Sequence, residues 1–109
     1  MAEGDQPDIT IWTSRGCGAC VQAKQFFGRK DVVFSERRLK NDLAVQRTFA
    51  RATGGARSVP QIFIGEHHVG GYDDLLQLEK TGELDVLLGR STALPERSLI
   101  RRFLTWLGM

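Results

Sequence analysis

A chain of 109 residues has room for one compact domain and not for two, and 41% hydrophobic with 26% charged residues is an ordinary globular composition. The formal net charge of +2 is far from the concentrated basic footprint of a nucleic-acid binder, so no nucleic-acid partner is expected. No window approaches the ~20 apolar residues of a membrane span, so no membrane partner is expected either.

The first residues, Met1 to Asp8, are acidic and polar, unlike a secretory signal or an arginine-rich transit peptide. They read as a short disordered leader over 1–8, and the protein is expected to be cytoplasmic, where structural disulfides are rare. Ile9-Thr10-Ile11-Trp12-Thr13 alternates apolar and polar residues and predicts a strand. It runs into a cysteine-bearing turn, after which Val21, Ala23, Lys24, Phe26 and Phe27 continue at helical spacing to Gly28. Val32 to Glu36 predicts a second strand. Asn41 or Asp42 can cap a second helix, which Gly54-Gly55 stops. Gln61 to Ile64 is a third strand, and Gly65-Glu66 turns the chain into a fourth around His67-His68-Val69. Asp73 can cap a third helix through Leu75, Leu76 and Leu78. This order predicts an α/β architecture: a central mixed sheet of about four strands, parallel at the first βαβ unit, with helices on both faces.

Cys17 and Cys20 are the only cysteines. A CxxC pair between the strand and helix of a βαβ unit reads as a thioredoxin-like redox motif. At the helix N-terminus the Cys17 sulfur would meet unpaired N–H groups and the positive end of the helix dipole, both of which favour the thiolate. Arg15, two residues upstream, would add positive potential. Cys20 lies one turn on, within reach of a disulfide with Cys17, so Cys17 is expected to attack and Cys20 to resolve the mixed disulfide. Two plainer readings stand beside this one. A structural zinc site needs four ligands where the pair supplies two, and His67 and His68, adjacent on a strand, should point to opposite faces. Inert core cysteines are the other reading, although a glycine-rich helix start argues for exposure.

The second half of the chain narrows the choice. Ser58-Val59-Pro60-Gln61-Ile62-Phe63-Ile64, followed by Val69-Gly70-Gly71-Tyr72-Asp73-Asp74-Leu75, closely resembles glutaredoxins, in which a TVPQIFI-like strand precedes a GG-x-DD loop. The resemblance runs from about Ile9 to Leu88 and implies a thioredoxin-like fold. It implies a glutathione-dependent thiol–disulfide oxidoreductase, with glutathione as co-substrate and with glutathionylated or disulfide-containing proteins as partners. It further implies a cis peptide bond before Pro60 and a Val59 backbone free to pair with the cysteinyl unit of glutathione. Gly70-Gly71 would let backbone approach the ligand closely. N–H groups at Tyr72 and Asp73 would hold the γ-glutamyl carboxylate, and the Asp73 carboxylate would accept from its ammonium. Plain N-capping is the alternative for Asp73 and Asp74. By position in the second helix, Arg47 is the candidate for the glycine carboxylate, with Arg51 and Arg57 nearby.

The chain also departs from the family pattern. Glutaredoxins usually carry a lysine three residues before the first cysteine, where this chain has Ser14; Arg15 is the candidate replacement. Proline and tyrosine commonly separate the cysteines, where Gly18 and Ala19 leave a more open rim. Some members with glycine there resemble cluster-binding glutaredoxins, in which two protomers and two glutathiones supply four thiolates to one [2Fe–2S] cluster. That implies an alternative function, cluster transfer by a glutathione-ligated homodimer with Cys17 as the protein ligand; otherwise a monomer is expected. Beyond a domain over 9–88, residues 89–109 read as a linker and a helical extension. Pro95 suits a first turn, and Leu99, Ile100, Phe103, Leu104, Trp106 and Leu107 form an amphipathic stripe for docking on the domain or a partner.

Overall fold

The computed structural model describes residues 6–90. The amphipathic helix expected over 96–107 and most of the leader expected over 1–8 lie outside the described residues. The chain divides after Leu76 into two compact units.

The unit Asp8–Leu76 carries the sheet. Its elements are β1 (Ile9–Thr13), α1 (Gly18–Arg29), β2 (Ser35–Arg38), α2 (Leu43–Thr53), β3 (Gln61–Ile64), β4 (His67–Gly70) and the first turn of α3 (Tyr72–Thr81). The strands lie in the order β2-β1-β3-β4. β1 pairs with β2 in parallel and with β3 antiparallel, and β3 pairs with β4 antiparallel. This is the four-stranded mixed sheet that the element order implies and the thioredoxin-like fold that the resemblance implies.

β1 is central, and its alternation serves two faces. Trp12 turns to one face and meets the Phe49 ring of α2 edge-on, with centroids 5.2 Å apart. Ile11 and Thr13 turn to the other, where α1 buries Cys20, Ala23, Phe26 and Phe27 at helical spacing. Burying a ring such as Phe27 contributes roughly 1.5–3 kcal/mol, and cutting it to alanine would cost about 3–5 kcal/mol. Asp42, not Asn41, caps α2: its Oδ1 accepts from the N–H groups of Ala44 and Val45 at 2.8 and 3.2 Å. Gly54, at φ 72°, ends that helix in the left-handed conformation that glycine adopts without steric cost.

Two expectations are corrected. The second strand is not Val32–Glu36; its ladder starts three residues later, with Thr10 opposite Ser35 and Thr13 opposite Arg38. Val32 is buried and Phe34 approaches the Phe27 ring at 6.1 Å, so these apolar residues anchor a loop that enters the strand. Val33 between them is 78% exposed. The strand itself lies at the sheet edge with all four residues exposed, and so carries no apolar alternation. Nor does Asp73 cap α3. That helix already begins at Tyr72, and Asp74 reaches back so that its Oδ2 accepts from Gly71 N–H at 2.9 Å.

In the second unit, α3 ends at Thr81 and Gly82 leads into α4 (Glu83–Leu87), a helix that periodicity did not announce because it spans five residues. Leu84 and Leu88 are buried. Among the described residues no helix is long and apolar enough to cross a membrane.

Candidate active site

β1 delivers the chain to the start of α1, and there Cys17 is the N-cap, in extended backbone at φ −94°, ψ 103°. Its Sγ accepts from Cys20 N–H at 3.0 Å. Cys17 and Cys20 are joined in a disulfide, with Cα atoms 5.2 Å apart. The two sulfurs are not equivalent, since Cys17 is half-buried while Cys20 is only 2% exposed. One is partly open to solvent and the other is covered. The partial exposure of Cys17 argues against two inert core cysteines.

A second segment comes up against this helix start. The Val59–Pro60 peptide bond is cis, and the Val59 carbonyl oxygen stands 3.6 Å from Cys17 Sγ. From there a cavity of ≈ 540 Å³ opens, lined by Ala19 and Gln22 of α1, by Ser58 to Gln61, and by Gly70 to Asp74. That is a size suited to a small molecule. Val59, Pro60, Gly71, Tyr72 and Asp73, separated in the chain, thus meet in one wall. The first N–H groups of α3 have no acceptor within the helix, and Tyr72 and Asp73 of that first turn line the cavity. Gln61 is buried there and fixed from two sides: its Nε2 donates to the Ser58 carbonyl at 3.1 Å, and its Oε1 lies 2.7 Å from His68 Nε2. The His68 ring stacks on Phe63 at 4.5 Å.

Two of the arginines lie elsewhere. Arg47 is exposed on α2 and outside the lining of this cavity. Arg15 is exposed and lines a second cavity of ≈ 330 Å³ on the β2 side of the cysteine pair, together with Ser14, Cys17, Cys20, Val21, Lys24, Glu36 and Arg38. Within it, Glu36 Oε2 accepts from the Thr13 hydroxyl at 2.6 Å and from Lys24 Nζ at 3.0 Å, and Arg38 stands 3.7 Å away. The Thr13 hydrogen bond and then the Lys24 ammonium hold the Glu36 carboxyl below its ordinary value, against a smaller opposing effect of burial. Sequence reasoning missed this cluster. One signal for it exists: Lys24 follows Cys20 by four residues and Cys17 by seven, on one helix stripe.

Among the described residues no group of three or more His, Cys, Asp or Glu is placed to hold a metal ion. The pair offers one accessible sulfur, so these residues do not make a [2Fe–2S] site by themselves.

Comparison with known proteins agrees with this geometry. The family model for glutaredoxins matches residues 9–69. The chain is 45% identical over 82 residues to a glutaredoxin of Pseudomonas aeruginosa, covering 75% of this chain and 96% of that one. It is 43% identical over 81 residues to glutaredoxin 1 of Rickettsia prowazekii, covering 73% and 85%. Among solved structures, it resembles the glutaredoxin of Brucella melitensis with a TM-score of 0.68 at 39% identity, over 81% of this chain and 95% of that one. It also resembles buckwheat glutaredoxin in complex with glutathione, with a TM-score of 0.66 at 28% identity, over 77% of each chain. A CxxC disulfide with one sulfur presented at a helix start, in a chain with these relatives, has one reading: the protein belongs to the glutaredoxin family and is a thiol–disulfide oxidoreductase.

Proposed function

We propose that this oxidoreductase uses glutathione and acts on protein–glutathione mixed disulfides and on protein disulfides. The observation that carries the reading is the position of the Cys17 sulfur, 3.6 Å from the carbonyl of Val59, which lines a cavity that reaches the first turn of α3. Glutathione laid along that cavity pairs its cysteinyl amide with the Val59 backbone, as an added strand would. Its γ-glutamyl carboxylate meets the N–H groups at Tyr72 and Asp73, and its ammonium meets the Asp73 carboxylate. Gly71 keeps the intervening wall free of side chain. Arg47 is assigned to the glycine carboxylate by its place on α2, and Arg15 stands in for the family's lysine.

The chemistry follows from two unequal sulfurs. The Cys17 thiolate attacks the glutathione sulfur of a mixed disulfide; the protein thiolate leaves and takes up a proton, and Cys17 is left glutathionylated. A second glutathione thiolate attacks that bond, releasing glutathione disulfide and restoring the Cys17 thiolate. With a protein disulfide, Cys17 forms the mixed disulfide with one protein sulfur, and Cys20 attacks Cys17 to displace it, which yields the intramolecular disulfide. A cytoplasmic glutathione pool would return that disulfide to the dithiol.

The test is turnover of a glutathionylated peptide in the presence of glutathione, with glutathione disulfide measured. Cys17→Ser should lose at least about a hundredfold of the rate, the nucleophile being gone. Cys20→Ser should keep deglutathionylation and lose reduction of a protein disulfide. Wild-type protein that leaves the peptide to react no faster than with glutathione alone would remove the reading.

A further inference from the structure

The two flanks of the cysteine pair carry opposite charge. The cavity on the β3–β4 side has Asp73 and Asp74 in its lining and no cation. The cavity on the β2 side sets Arg15, Lys24 and Arg38 against the single carboxylate of Glu36. Glu36 does not neutralise it, because one oxygen atom already serves both Lys24 and Arg38, and Arg15 has no carboxylate partner among the described residues. Val21, 48% exposed, adds an apolar wall. Cys17 and Cys20 belong to this same lining, so a polypeptide whose sulfur reaches Cys17 lies at the mouth of the cavity.

We propose that the β2-side cavity receives an acidic side chain of the protein substrate, within a few residues of the cysteine under reduction, with an adjacent apolar residue resting on Val21. The inference rests on the glutathione reading, which places the γ-glutamyl end of the tripeptide on the other flank. An extended chain advances ~3.3–3.6 Å per residue, so an aspartate or glutamate two or three positions from the reacting cysteine spans from the sulfur to Arg15 or Arg38. Both arginines are exposed, and they present the planar fork that fits a carboxylate. Charges on the rim of an encounter surface act chiefly on association, and salt screens them. The enzyme therefore selects among disulfide-bearing proteins by the charge beside their cysteines.

Three glutathionylated peptides test this, differing only in the residues flanking the cysteine: acidic, neutral or basic. At low salt the acidic peptide should show kcat/KM about fivefold above the neutral one, with the basic peptide slowest. At about 0.5 M salt the spread should fall to within about twofold. Lys24→Gln combined with Arg38→Gln should cut the preference to within about twofold at low salt, while the KM for glutathione stays the same with all three peptides. Equal turnover of the three peptides at low salt overturns the inference and leaves the glutathione reading intact. A rise in the KM for glutathione in the double variant, equal for every peptide, also overturns it, since the cavity would then serve glutathione. Failure of all three peptides to turn over removes the glutathione reading and the inference together.

Discussion

The sulfur of Cys17 stands 3.6 Å from the carbonyl oxygen of Val59, while its partner Cys20 is sealed beneath the start of α1. The helix itself enforces this difference, because the N-cap position projects its side chain past the first turn and the residue three places on packs against the sheet. Reduced protein treated with limiting iodoacetamide should therefore be labelled at Cys17 at least about tenfold faster than at Cys20, as mapped by peptide mass. Equal labelling would mean that the helix start opens on reduction, and the separate roles of attack and resolution would not stand.

Gly70 holds a left-handed φ of 108°, and a Cβ there would stand 2.5 Å from Asp74 Oδ2. That carboxylate is the acceptor for Gly71 N–H, so a methyl group would push against the clamp that shapes the cavity wall. Gly70→Ala should cost about 1–3 kcal/mol, from backbone strain and the displaced carboxylate together. Thermal melting would show a drop of at least about 4 °C. Asp74→Asn keeps an acceptor in place and should melt within about 1 kcal/mol of wild type. An unchanged melt for Gly70→Ala would show that the loop is not held this way in solution.

Glu36 is held below its ordinary value by Thr13 and then Lys24, so its ionised form is the one the fold prefers. A depressed carboxyl contributes stability above its unfolded-state value, and the contribution fades as pH falls through the lowered folded-state value. Glu36→Gln should therefore melt below wild type at pH 7. The two curves should converge as pH falls below the usual glutamate range. A gap that widened toward acid would contradict the assignment.

Gly28 lies inside α1, exposed, with open space where a Cβ would stand. Its backbone is not left-handed, so alanine fits and the unfolded chain loses freedom. Gly28→Ala should raise stability by about 0.5–1 kcal/mol, visible as a gain of at least about 2 °C in Tm. A lower Tm would show a contact at this surface beyond those of the described residues.

How much of this was legible in the sequence depends on how local each feature is. Ile9 to Thr13 and Gln61 to Ile64 declared themselves because central strands need apolar side chains. The cysteine pair was legible from its spacing and its place between strand and helix. Pro60 was legible only through resemblance, since an isolated proline at a strand start is ordinary. The shift of β2 was hidden, because an edge strand of four exposed residues has no hydrophobic signature while the buried Val32 before it does. Whether Asp73 or Asp74 clamps the start of α3 depends on how the Gly70-Gly71 loop enters the helix, which the spacing alone leaves open. The Lys24–Glu36 pair spans twelve residues and exists only because the right-handed crossover lays β2 beside β1.

The edge position of β2 bears on more than substrate choice. An end strand offers a row of unused N–H and C=O groups, and a second copy could pair with it as a continuing sheet. Here three of the four residues in that row, Glu36, Arg37 and Arg38, are charged, and Arg37 lies over the Trp12 ring with its guanidinium 4.5 Å from the centroid. Two such edges brought together in parallel would set arginine against arginine. A row of charge makes an edge strand a poorer template for pairing, so the charges beside the cysteine pair also blunt this end of the sheet.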